Sequence, residues 1–202
     1  MAGVAQESLM PGSERVQSSV GRKAPFAPTP PGRGIAPLGP LHPLAQGARY
    51  QPNHTGGHAM QSRATAQWEG DLMSGTGRTS AASGTFRDAG LSWKARTEGA
   101  ASTTTPEELL AASHASCFSM ALSHGLAKGG HAPKRLETSC VVEFGPKQGG
   151  GFEVKSSALE VKGSVPGIDQ AAFARAAEDA KNGCPISSAL KIPMSVKAVL
   201  QP

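Results

Sequence analysis

Hydrophobic and polar positions fall into regular periods only after about residue 60. The segments ATAQWEG, GTGRTSAASGTF and LSWKARTEG are short and separated by Gly-rich turns. They predict a three-stranded meander. A helix follows from Thr105, with Pro106 at its first position and Glu108 placed to complete a capping box. It runs to about Lys128 and stops at Gly129 and Gly130. RLETSCVVEFG alternates, with Leu136, Thr138, Cys140, Val142 and Phe144 on one face. In GFEVKSSALEVKGSV the apolar parity switches between Val154 and Leu159, which predicts a bulge near Ser157. VPGIDQAAFARAAEDAKNG reads as a helix capped by Asp169 and ended by Gly183, with a short second helix from Pro185. IPMSVKAVL closes the chain, with Ile192, Met194, Val196, Ala198 and Leu200 facing inward. Strands, long helix, two strands, helices and strand in that order give an α+β fold.

Composition separates the two parts further. Residues 1–60 hold nine of the sixteen prolines and few large apolar residues. Such a stretch cannot bury enough surface to offset its ordering entropy. It reads as a disordered or artefactual extension, with Met60 as the natural start and residues 61–202 as the folded domain. The net charge of +5 is mild, and residues 1–60 contribute five basic against two acidic side chains. No basic run interleaved with aromatics appears, so no nucleic-acid partner is expected. No early apolar stretch marks a secretory signal. The charge-free run from Leu109 to Ala127 approaches membrane-spanning length, but four serines and two histidines make it too polar. It suits the buried central helix of a protein that does not enter a membrane. Three cysteines without an export signal point to a reducing compartment, the cytoplasm.

The cysteines occupy three environments. Cys140 lies on the apolar face of a strand and reads as a packing thiol. Cys184, before Pro185, would cap a helix N-terminus, whose partial positive charge favours a thiolate. Cys117 lies mid-helix among Ala and Ser, where packing is the plain reading and where no group of its own helix would acidify it. His114 and Cys117 share a helix face. His114 could serve as a base for Cys117 or, with Cys117 and Cys184, as a metal ligand. No CxxC or HExxH supports the metal.

AQWEGDL, ARTEG, TPEELLAASHASCFSMAL, VPGID and AKNGCPIS, in this order, resemble the OsmC/Ohr family, and within it the osmotically inducible OsmC branch. The resemblance covers residues 64 to 200 and leaves the first sixty without a counterpart. It implies a thiol peroxidase that reduces organic hydroperoxides, and hydrogen peroxide less well, without metal, haem or other cofactor. By position Cys117 is then the peroxidatic thiol and Cys184 the resolving thiol. Glu107 matches the family's carboxylate and Arg96 the arginine of the OsmC branch, with Arg78 in GTGRTS as its competitor. The implied fold has antiparallel sheets wrapped around a long central helix in an intertwined homodimer. The implied reductant is a dithiol such as a lipoylated protein.

The residues supply that chemistry independently. Only a thiolate attacks the peroxide bond well, and an ordinary thiol is mostly neutral at pH 7. A guanidinium stabilises the thiolate and the departing alkoxide, and a carboxylate fixes the guanidinium in a bidentate pair. The resulting sulfenic acid condenses with a second thiol. Yet Glu107 and Cys117 are ten residues apart, about 15 Å along a straight helix. A composite site across a two-fold dimer removes the difficulty, and Ala111, Ala112, Ser113, Ala115 and Ser116 permit the close packing it needs. The alternative is a member of the same fold that senses redox state or binds an apolar ligand without turnover.

Overall fold

A computed structural model describes residues 59–202; the expectations for the upstream segment fall on residues that are, apart from the last two, outside that range. Two three-stranded sheets and four helices make up the described chain. β1 (Ala64–Glu69), β2 (Thr76–Ala81) and β3 (Ala89–Ser92) form an antiparallel meander. The third segment does not continue as a strand: Trp93–Glu98 is helix α1. Ser92 accepts a hydrogen bond from the Ala95 N–H and caps it, and Thr97 donates back to the Trp93 carbonyl. This turn matters because it carries Arg96 toward the next helix.

Helix α2 (Pro106–Lys128) starts where the sequence places it, with Thr105 accepting from the Glu108 N–H. Only half of the capping box forms. The Glu108 carboxylate takes the hydroxyl of Thr104 at 2.7 Å. Gly130, with φ of +83°, turns the chain away after the helix. His114, Phe118, Leu122 and Leu126 recur at four-residue steps and are buried along one face. The opposite face is uncharged but open, with Met120 67% exposed.

β4 (Arg135–Pro146) and β5 (Phe152–Ser164) pair antiparallel over almost their whole length. The expected bulge is present. Lys155 is its extra residue, since Phe144 pairs with Val154 and Glu143 with Ser156. α3 (Gln170–Gly183) is capped by Asp169, which accepts from Ala172, and includes Gly183 as its last residue. α4 (Pro185–Ala189) follows. β6 (Met194–Gln201) then pairs with β5 in parallel, so this sheet is mixed rather than antiparallel throughout. A parallel neighbour needs a crossover, and α3 with α4 supplies it. α3 lies close on the sheet because Gly163 has no side chain: a Cβ there would sit 2.5 Å from Phe173 Cζ. Phe118, Leu122, Leu159, Val161 and Phe173 form the centre of the core. None of the described helices is long and apolar enough to cross a membrane.

Candidate active site

Two couples of candidate residues form, and they are separate. The first joins Cys117 on α2 to Cys184, the residue between α3 and α4. Both are free thiols, Cys184 fully buried and Cys117 half-buried. They are near neighbours in the core, and each alters the other's ionisation. Burial, the backbone amides at the start of α4 and the neighbouring sulfur decide the outcome. Burial pushes the Cys117 thiol up, the Ile186 N–H opposes this, and Cys184 adds to it. Burial also works against Cys184, but the Ser187 N–H, the Cys117 thiol, the Ser187 hydroxyl and the Ile186 N–H outweigh it and hold Cys184 below its ordinary value. Cys184 stands at the N-cap position of α4, at the positive end of that helix, although its side chain makes no capping hydrogen bond. In the single chain the deeper thiol is therefore the more acidic, and the more accessible one is the less acidic.

The second couple is Arg96 with Glu107. Arg96 Nε donates to both Glu107 carboxylate oxygens at 3.0 Å, and Nη2 donates to Oε1 at 2.6 Å. Glu107 is buried although it is the second residue of α2, because this fork covers it. The guanidinium carbon also lies 4.0 Å from the centre of the Phe144 ring. Phe144, Phe152 and Trp93 form an aromatic cluster, with Trp93 edge-on to Phe152 at 4.9 Å and the two phenylalanines stacked at 5.4 Å. The cluster was not legible in the sequence, because its members come from three elements. Arg78 lies on β2, opposite Gln67 and Gly90, and makes no salt bridge among the described residues. Arg96, not Arg78, is therefore the arginine held by Glu107. Within one chain this couple stays near the start of α2, and the thiols lie about three turns further along.

His114 behaves differently from both sequence readings. It is fully buried. Nδ1 pairs with the Ser157 hydroxyl at 2.7 Å and Nε2 with the Ser187 hydroxyl at 2.9 Å. Neither ring nitrogen is free to serve Cys117 as a base or to bind a metal. Among the described residues no group of three or more His, Cys, Asp or Glu side chains could hold a metal ion. Burial lowers the His114 pKa, because a charged imidazole would be poorly solvated there. Cys140 also does more than pack, since its sulfur lies 3.2 Å from the Ser157 hydroxyl. The one sequence signal for Ser157 was a polar residue on the inward parity of β5, and for Ser187 there was none.

Comparison with known proteins follows the same lines. Residues 99–199 match the family model described as OsmC-like protein. The chain is 39% identical over 132 residues to Peroxiredoxin OsmC of Escherichia coli (strain K12), covering 65% of this chain and 91% of that one. It superposes on the organic hydroperoxide resistance protein OhrB of Bacillus subtilis with a TM-score of 0.55 and 25% identity, over 70% of this chain and 98% of that one. An organic hydroperoxide resistance protein from Elizabethkingia anophelis shares the fold, with a TM-score of 0.57 and 23% identity, over 71% of this chain and 97% of that one.

Proposed function

The chain belongs to the OsmC-like family, and on that premise we propose that it is a thiol-dependent peroxidase that reduces organic hydroperoxides, and hydrogen peroxide, to alcohols and water. The observation that carries this reading is the nearness of Cys117 and Cys184, two free thiols from distant parts of the chain that share one core and influence each other's ionisation. Cys117 is the attacking thiol, because a peroxide can reach it while Cys184 is sealed. Its thiolate takes the terminal peroxide oxygen, the O–O bond breaks, and the alkoxide leaves to be protonated. Cys117 is now a sulfenic acid. Attack by the Cys184 sulfur forms the Cys117–Cys184 disulfide and releases water. A dithiol, such as a lipoylated protein, returns both thiols by two exchange steps.

Cys117 needs a cation, since burial opposes its ionisation. Arg96 with Glu107 from a second copy of the chain is the candidate. Nε and Nη2 are committed to Glu107, which leaves Nη1 to face the thiolate and the departing oxygen. The open, uncharged face of α2 around Met120, Ala112 and Ser116 supports a homodimer, and two-fold symmetry would build two such composite sites. The non-catalytic alternative draws support from the raised Cys117 thiol in the single chain. Turnover of cumene hydroperoxide with dihydrolipoamide decides between them. Wild type turns over, Cys117→Ser does not, and Cys184→Ser accumulates a sulfenic acid on Cys117 after a brief peroxide pulse. Absence of turnover in the wild type, or sulfenic acid on Cys184 in Cys117→Ser with activity retained, overturns the reading.

A further inference from the structure

Arg96 is held from two directions, and only one of them is an ion pair. The fork to Glu107 fixes one edge of the guanidinium through Nε and Nη2. Such a fork leaves the plane free to tilt about the line of its two bonds. The Phe144 ring meets that remaining freedom. Its centre lies 4.0 Å from Arg96 Cζ, well inside the roughly 6 Å over which a ring face attracts a cation. Trp93, three residues earlier on α1 and so on the same helix face, borders the guanidinium at 5.9 Å. The Arg96 side chain is 29% exposed, so water competes with these contacts only in part.

The Phe144 ring is itself held in place, and the bulge in β5 is the cause. Ser157, Leu159, Val161 and Gly163 are the buried positions of that strand, all of one parity. Phe152 has the other parity and would face away in a regular strand. The extra residue Lys155 reverses this: Phe144 pairs with Val154 and Pro146 with Phe152, which puts Phe152 on the Phe144 side. Phe152 then stacks on Phe144 at 5.4 Å, and Trp93 meets both rings edge-on. A bulge that served burial alone would not leave Phe152 52% exposed.

We infer that Phe144 is a positioning residue for Arg96: its ring sets the tilt of the guanidinium without taking any of its N–H donors, so that Nη1 keeps one fixed direction. The inference rests on the reading in which Arg96 acts on Cys117 of a second copy. A guanidinium has five N–H donors in a rigid fork, and Glu107 already takes those of Nε and one of Nη2. A polar side chain in place of Phe144 would compete for the rest. An aliphatic one would leave them free but would not attract the cation. A ring face does both, because its quadrupole draws the charge and accepts at the face, away from the N–H edge. Donors stabilise a developing charge only where they are aimed at it. Loss of the ring therefore lowers reactivity at Cys117 although the charge of Arg96 remains. No bond forms or breaks at Phe144.

Two rates test this, both read at Cys117 by peptide mass spectrometry at neutral pH. One is oxidation by cumene hydroperoxide; the other is alkylation by iodoacetamide, which needs a thiolate but no peroxidase activity. Both should fall about tenfold in Phe144→Leu, the factor that one partly desolvated cation–π contact represents. Both should return in Phe144→Tyr, which keeps the ring face. In a chain carrying Arg96→Met with Glu107→Met, Phe144→Leu should change neither rate further, whereas a packing role would lower them alike in both backgrounds. NMR of the wild-type protein needs no substitution: nuclear Overhauser contacts should join the Phe144 ring to the Arg96 side chain. Unchanged rates in a folded Phe144→Leu protein, equal losses in the two backgrounds, or no ring contact in wild type overturns the inference. An alkylation loss that Tyr restores, beside a wild type that consumes no hydroperoxide, refutes the functional reading and upholds this one.

Discussion

A composite site makes a quantitative demand on mixtures of inactive chains. In one chain Arg96 and Glu107 are both replaced by Met; in the other Cys117 is replaced by Ser. Both members of the ion pair are removed together because Glu107 is buried. Leaving its carboxylate unpaired would cost about 3–5 kcal/mol and confuse loss of fold with loss of chemistry, whereas an apolar pair of similar volume is often neutral. Glu107 and Cys117 are separated by about 15 Å along α2, and Arg96 is pinned to Glu107, so a chain cannot supply its own guanidinium. Removing the cation at the departing oxygen should lower turnover about 10²-fold or more. Each parent is then inactive for a different reason. In a co-expressed equal mixture half the dimers are mixed, and each mixed dimer holds one intact site, so about a quarter of wild-type activity should return. The assay is hydroperoxide consumption per total chain, with the mixed dimer isolated by two affinity tags. The control puts all three substitutions on one chain and mixes it with wild type. If sites are composite it keeps about a quarter of the activity, and if each chain is self-sufficient it keeps about half. A first mixture as inactive as its parents, beside a control at half, would refute the shared site.

Three further outcomes follow from the fold. Phe118 is fully buried at the centre of the core, so Phe118→Ala should lower stability by about 3–5 kcal/mol in urea unfolding; a loss under about 1 kcal/mol would contradict its placement. Gly163→Ala puts a Cβ 2.5 Å from Phe173 Cζ and 3.0 Å from Leu136 Cδ2, and should cost about 1–3 kcal/mol by overpacking, partly restored by Phe173→Leu. Burial lowers the His114 pKa, so below its unfolded value the unfolded chain binds more protons than the folded one. Stability therefore falls as pH drops below about 6.5, and denaturation midpoints from pH 7 to 5 should show this slope in wild type and a weaker one in His114→Gln.

Much of this protein is written locally. The strands, the long helix from Pro106 with its Thr105 cap, the Asp169 cap and the bulge in β5 follow from periods and end signals that span only a few residues. The two thiols, the arginine and the glutamate were candidates only through motifs that resemble a known family, and those motifs are themselves local. The sequence alone could even show that Glu107 and Cys117 cannot meet in one straight helix. Tertiary structure decided the rest. Trp93–Glu98 became helix rather than strand where Ser92 could cap it and Glu107 could hold Arg96. β6 became a parallel neighbour because two helices carry the chain back across the sheet. His114 gained its partners from residues 157 and 187, and Cys184 became more acidic than Cys117 through neighbours on α2 and α4. Such contacts join positions far apart in the chain, and a period of two or 3.6 residues carries no information about them.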